Sequence, residues 1–265
     1  MPHVQIGDRV YHFGRKPARF DRRAVIGAAR MSAHLSTLGP PPTTRDWTPA
    51  VTAKVGADWG VMGNDQCGDC VFASGGHSIM ARTANAGSIV IPSADDIINA
   101  YSAFTGYVRG SESTDNGTNE TDFCNNLVTN GLLGHRADAT TPIDGTSFDQ
   151  IKWTVELFGS CLLGIVLPRY AMDQFNNNEA WRLDTLGDQT VLGGHGICIV
   201  KYDAFGFYVV TWGRVQLMTY DFAKAWIDEA HATLDFDWMN TMGNAPNALN
   251  RTQLESDLKS LPEAA

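Results

Sequence analysis

A chain of 265 residues with 43% hydrophobic and 18% charged residues can bury its own core, and no stretch approaches the ~20 apolar residues of a spanning helix. Five cysteines, an odd number, exclude a disulfide framework, and a net charge of −9 argues against nucleic acid as a partner. The start, Met1-Pro2-His3-Val4-Gln5, lacks the charged-then-apolar pattern of a secretory signal, so a cytoplasmic location is expected.

In chain order, residues 1–42 read as a basic, extended leader. Seven of the twenty basic residues fall in residues 1–31 (Arg9, Arg15, Lys16, Arg19, Arg22, Arg23, Arg30) against Asp8 and Asp21 alone. The leader is therefore near +5 and the remainder near −14. The simplest reading is a solvated, partly helical extension ending in the stiff connector Leu38-Gly39-Pro40-Pro41-Pro42. The other is an arm that docks on an acidic surface, a partner protein's or the chain's own.

Residues 43–140 read as a mainly helical lobe. Helix signals run from Asp69 to about Ala84, then over 93–106 with Ser93 as cap and Asp95 and Asp96 in the first turn. A polar loop at 110–119 precedes a helix at 120–130, stopped by Gly131. Residues 141–265 read as a β-rich lobe with a C-terminal helical tail. A helix at 147–158 is followed by an apolar strand, Ser160–Leu167, stopped by Pro168. Val191–Tyr202 and Phe207–Trp212 are strand-like runs joined by the hairpin signature Asp203-Ala204-Phe205-Gly206, with a helix near 221–230 beyond. Cys161 and Cys198 sit in apolar runs and read as buried core thiols. Helices first and strands second predict an α+β protein of two lobes with a cleft between them.

The chemistry concentrates in Asn64-Asp65-Gln66-Cys67-Gly68-Asp69-Cys70-Val71-Phe72-Ala73. Asp69 is a helix-cap residue type, which makes Cys70 the first helical residue. A thiol there faces unpaired N–H groups and the positive end of the helix dipole, and both favour the reactive thiolate. Three rival readings exist for the same residues: a redox pair of Cys67 and Cys70, a zinc site, or two inert buried thiols. Gly75 and Gly76 behind the cysteine predict close packing against the helix. His77 lies ~10 Å from Cys70 along the axis at ~1.5 Å per residue, so a structural role is expected. His195, flanked by Gly193, Gly194 and Gly196 at the start of an apolar strand, is the candidate base, far in sequence and on another element.

These residues resemble the papain-like cysteine proteases, and within them papain-like proteins carried by bacteria and their phages. The family reads Gln-x-x-Cys-Gly-x-Cys-Trp-Ala-Phe around its nucleophile, against the segment above. Arg45-Asp46-Trp47 resembles the mature start, Asp115-Asn116-Gly117 the Asn-Gly-Gly segment, Asn130-Gly131-Leu132 the turn after the next helix, and Val210-Thr211-Trp212-Gly213 the Asn-Ser-Trp-Gly run. The likeness runs in order from about 45 to 215 and is specific at the two motifs only. It implies a papain-like two-lobed fold and thiolate attack by Cys70 on a carbonyl, with His195 as base. The oxyanion would be held by the Cys70 N–H and by Asn64, one methylene shorter than the family's glutamine, with Gln66 as fallback. Val71 replaces the family's tryptophan. The asparagine that orients the histidine is absent: its place falls on Thr211 counted from His195, or on Val210 aligned on Trp212-Gly213. Trp212 would shield the imidazole.

The resemblance implies a peptide or protein substrate, no cofactor and no metal, with neither nucleic acid nor membrane as partner. One alternative function is an inactive papain-like fold serving as an assembly component, for instance in a phage particle, with the leader as assembly arm and the virion as location. Another is a dithiol oxidoreductase through Cys67-Gly68-Asp69-Cys70. Cys70 also lies deeper than in a mature enzyme of the family, so residues 1–40 are a candidate pro-segment, although shorter than the family's usual one.

Overall fold

The leader does not begin as a solvated arm. In the computed structural model, which describes residues 1–19, 34–35, 38–238, 245–247 and 252, strands β1 (His3–Ile6) and β2 (Arg9–His12) form an antiparallel hairpin. Gly7, at φ +59°, supplies the left-handed residue of its two-residue turn. The hairpin delivers Tyr11, Phe13 and Arg15 into the protein interior, each buried. Burial of these side chains decides between the two readings of the leader: residues 11–15 dock on the chain's own body. Arg22, Arg23, Arg30 and most of the expected C-terminal tail lie outside the described residues.

The helical half follows the expected order. After β3 (Arg45–Asp46) come α1 (Thr48–Val55), α2 (Cys70–Asn85), α3 (Ala94–Thr105) and α4 (Glu120–Thr129). Helix α1, with Pro49 in its first turn, was not expected. Ser93 and Asp96 form a reciprocal capping box on α3, and Gly106 ends it in the left-handed conformation. Helix α2 is buried along its length except for Ala84 and Asn85 in its last turn. Its two adjacent glycines explain how neighbours come so close. A Cβ on Gly75 would lie 2.4 Å from Phe123 Cζ, and one on Gly76 2.6 Å from Met62 Sδ.

Strands dominate the second half: β4 (Ala137–Ile143), β5 (Cys161–Pro168), β6 (Val191–Tyr202), β7 (Gly206–Thr211), β8 (Arg214–Thr219) and β9 (Ile227–Asp235). Helices α5 (Phe148–Phe158), α6 (Arg169–Asn176) and α7 (Tyr220–Trp226) intervene. The strands form one antiparallel sheet in the order β4-β9-β5-β6-β7-β8, with β3 added to β6. The helix expected over 221–230 stops at Trp226, where Ile227 turns extended and the chain becomes β9.

Side chains alternate across this sheet, as the pleat requires. Leu162, Cys198, Val200 and Val210 face α2 and join a core with Val51, Phe72, Ile97, Tyr101 and Phe123. Leu163, Ile165, Ile197, Ile199 and Val209 face the other way and pack with Ile151, Phe158, Phe175 and Phe222. Each fully buried large apolar side chain contributes about 1.5–3 kcal/mol. Cys161 and Cys198 are fully buried within these layers.

One polar clamp crosses the layers. Arg82 of α2 donates from Nε to Phe158 O (2.9 Å) and from Nη2 to Thr233 O (2.8 Å), and it pairs with Asp235. Both charged side chains are almost wholly shielded from water. Arg82→Ala leaves Asp235 buried and uncompensated, and it should lower stability by about 3–5 kcal/mol. The readout is a lower urea midpoint at unchanged slope.

Candidate active site

Cys70 is the first residue of α2, as its spacing predicts, and lies buried against the sheet. Gly196 of β6 makes this seat possible. A Cβ there would stand 3.0 Å from Val71 Cα and 3.2 Å from Val71 N. The Gly196 N–H donates to Cys70 Sγ at 3.4 Å, which places the sulfur beside the residue that follows His195. The backbone N–H of Gly14 points at the same sulfur. Asp69 does not cap the helix with its side chain. Its φ and ψ of −94° and 16° are not the extended conformation that would aim the carboxylate at the first turn. The Asp69 carboxyl is fully buried, and burial pushes it well above the usual carboxylate range against the opposing pull of Cys67 and Asn64 beside it.

His195 lies on the opposite face of β6 from Gly196, and its ring is held on two sides. Thr211 Oγ1 lies 2.8 Å from Nε2, and the Trp212 indole stacks on the imidazole at 4.2 Å and 15°. The hairpin register leaves no ambiguity between the two orienting candidates. Thr211 pairs with Arg214 across the turn, whereas Val210 pairs with Cys198 and points into the α2-side core. Trp212 and Gly213 form the two-residue turn, both at positive φ (42° and 85°). For a tryptophan this conformation is strained, and it is held where it covers the histidine. His195 Nδ1 is buried without a partner.

Asn64 lies in the loop before the helix, buried, with Nδ2 donating to Cys67 O at 3.2 Å. Gln66 is exposed. The loop is clasped by Asp115, which accepts from Gly68 N (2.9 Å) and from Tyr101 OH (2.5 Å). Cys67 is a free thiol facing Gly63 O at 3.8 Å, and burial and Asp69 push it above its ordinary range. His77 is structural, bonding Gly60 O at 2.9 Å.

The leader enters the groove, as the readings of a self-docking arm and of a pro-segment over the cleft allowed, but the sequence did not single out the residues that do so. Phe13, Gly14 and Arg15 run between β6 and the loops that carry Gly68 and Thr118. Arg15 N donates to Gly194 O (3.1 Å) on one wall, while Thr118 N donates to Gly14 O (2.8 Å) and Lys16 N to Thr118 O (2.9 Å) on the other. A Cβ on Gly14 would lie 1.7 Å from Gly68 O, so only glycine passes at this point. Phe13 turns its edge toward both His195 and Trp212, at ring distances of 6.2 and 6.0 Å. Beside this plug a cleft of about 500 Å³ remains, lined by Tyr11, Val61, Asp65, Trp212 and Arg214 among others. The only trace in the sequence was the basic leader itself.

Burial reverses the expected thiolate. It pushes the Cys70 thiol up to about 11, against the backbone donors of Gly196 and Gly14. Burial, then the Arg15 charge, pulls His195 down to about 3. At neutral pH the closed site therefore holds a neutral thiol and a neutral imidazole.

No family model and no curated protein matches the chain. Solved structures match over most of its length. Xylellain, a cysteine protease from Xylella fastidiosa, is similar at TM-score 0.61 and 15% identity, over 87% of this chain and 98% of its own. proCathepsin B S9 from Trypanosoma congolense matches at 0.52 and 13%, over 83% and 82%. Digestive procathepsin L 3 of the Tenebrio molitor larval midgut matches at 0.51 and 13%, over 76% and 72%. The chain has the papain-like cysteine protease fold.

Because the closed-state thiol titrates near 11, alkylation of Cys70 by iodoacetamide in the intact chain should be slow at pH 7 and climb continuously through pH 9–11. Mass-spectrometric rates across that range read this out. A plateau already reached by pH 6 would contradict a neutral thiol.

Proposed function

We propose that the chain is a cysteine peptidase or amidase, closed in this state by its own residues 13–16. The observation that carries this reading is the meeting of a helix-tip thiol with the Gly196 N–H, directly after a histidine held by Thr211 and Trp212. With the Nε2 proton donated to Thr211 Oγ1, His195 Nδ1 keeps the lone pair a base needs. Thr211 thus takes the place of the family's asparagine.

The reaction is acyl transfer. Nδ1 of His195 accepts the Cys70 proton, and the sulfur attacks the substrate carbonyl carbon to give a tetrahedral adduct. Its oxyanion is met by the Cys70 N–H and, once its amide turns from Cys67 O and Asp69, by an N–H of Asn64. The C–N bond breaks as His195 returns the proton to the leaving amine, leaving a thioester on Cys70. His195 then deprotonates water, which attacks the thioester, releases the carboxylic acid and restores the thiol. Peptide or protein amides fit the groove, since an extended backbone already lies in it, paired to both walls.

The leader is a blocker rather than a substrate in this pose. What it presents to the sulfur is the Gly14 N–H, not a carbonyl carbon. Displacing it admits water, removes the Arg15 charge from His195, and returns both pKa values toward the catalytic range. The basic residues nearest the body are engaged internally: Arg15 as above, and Arg19 on Asp122.

Gly14→Ala cannot keep the plug seated, so this variant should label Cys70 with iodoacetamide at pH 7 at least about tenfold faster than the parent chain. His195→Ala in that background should return labelling to the closed-state rate. Asn64→Ala should lower amide turnover by about 10²–10³ at unchanged labelling. If Cys70 stays unlabelled in Gly14→Ala, whose fold is verified by circular dichroism, the hydrolase assignment falls.

A further inference from the structure

The Arg15 side chain occupies a pocket with more carboxyl groups than its own pairing uses. Nη2 donates to both carboxylate oxygens of Asp228 (2.6 and 2.5 Å) and to Ile165 O (3.4 Å). Nη1 donates to Glu229 Oε1 (2.5 Å) and to Lys16 O (3.2 Å). Arg15 is 4% exposed and Glu120 is 0% exposed. Both Glu120 carboxyl oxygens are buried with no hydrogen-bond partner, and the groups they feel are Arg15, Glu229 and Asp228. One guanidinium thus sits among three carboxyl groups. A structural ion pair requires only one; Glu120, which burial and then Glu229 push well above the usual carboxylate range, is a surplus buried carboxyl with no partner of its own, and such a group is costly to a fold.

Space for the guanidinium is built into the sheet. Gly164 interrupts the apolar run of β5, and a Cβ there would lie 2.8 Å from both Cζ and Nε of Arg15. Gly194 makes room for the backbone in the same way, its Cβ falling 2.4 Å from Arg15 O. The acceptors lie around the two terminal nitrogens while Nε is left without one, a two-pronged set that suits a guanidinium better than a lysine ammonium. The backbone at Arg15 is extended and paired to Gly194 and Thr118, one residue from the contact with Cys70.

We infer that Glu120, Asp228 and Glu229 form a guanidinium-recognition pocket of the groove, that Arg15 fills it in the closed state, and that the substrate class is a peptide carrying an arginine side chain at this pocket. This rests on the hydrolase reading for its catalytic consequence, but not for the binding itself. Glu229 also faces His231 Nε2 at 3.4 Å, a contact that holds its second oxygen in place. The leader and the substrate would then compete for one seat, side chain for side chain.

The test separates pocket from chemistry. In full-length Arg15→Ala, millimolar methylguanidinium should raise the Tm, and its neutral isostere methylurea should not; Glu229→Gln added to this variant should abolish the rise. In the Gly14→Ala chain, a peptidyl vinyl sulfone bearing arginine should modify Cys70 at least about tenfold faster than the same reagent bearing citrulline. Glu229→Gln should erase that preference. Equal rates for arginine and citrulline reagents, with Cys70 still reactive to iodoacetamide, overturn the pocket and spare the hydrolase reading. A methylguanidinium shift in a protein whose Cys70 reacts with nothing supports the pocket and sinks the hydrolase. If Arg15→Ala does not fold, the reagent comparison decides alone.

Discussion

The site depends on how closely a helix tip can approach a strand. At Gly196 the backbone of α2 comes so near β6 that a single added carbon would touch Val71. That approach brings the Cys70 sulfur onto a sheet N–H and next to the position that carries the histidine. The other side of the helix obeys the same rule, with Phe123 and Met62 pressed on Gly75 and Gly76. A helix packed this tightly on both sides has no freedom to shift along the sheet, because dense interiors transmit small displacements as strain. The cysteine is therefore placed by packing of the whole element, not by any cap, and the uncapped Asp69 is consistent with this.

The same burial that places the thiol also silences it. Helix-end N–H groups favour the thiolate, whereas removal of water favours the thiol, and with residues 13–16 in the groove the second effect is larger. The imidazole responds in parallel, held neutral by desolvation and by the Arg15 cation. A positive charge seated beside the base and a peptide lying over the nucleophile act in one direction. Both are carried by the same four-residue segment, so a single displacement relieves both.

Much of this was legible in the residues. The helix at Cys70, the strand at His195 and the α+β order follow from periodicity and glycine punctuation, and the structure places them as expected. The choice between Thr211 and Val210 was not legible, because a one-residue slip of register exchanges the two faces of a strand. Only the Trp212-Gly213 turn settles it. Strand β9 was read as the end of a helix because Ala230 and Ala232 are small and its alternation is faint. Its burial comes from pairing with β5, which no local pattern reports. Which leader residues dock was equally hidden, since the partners of Arg15, as far as 214 residues away at Glu229, are not neighbours until the sheet is in place.

Glycine placement ties the groove to its chemistry. On the face of the sheet toward α2, Leu162, Cys198 and Val200 fill the space with side chains, and at the neighbouring positions toward the site Gly164, Gly194 and Gly196 leave it empty. Three missing side chains on adjacent strands open a slot floored by backbone. Exposed carbonyls such as Gly194 O and Ile165 O then become acceptors for whatever enters. In this structure the slot holds residues 14–16 by their main chain, and what holds the Arg15 side chain comes from the walls. Here the walls supply carboxylates from the start of α4 and from β9, two elements brought together by β4, which pairs with β9 and packs against α4. One feature of the packing, the absence of Cβ atoms along one edge, thus seats the Cys70 thiol, admits the leader and exposes the acids that grip it.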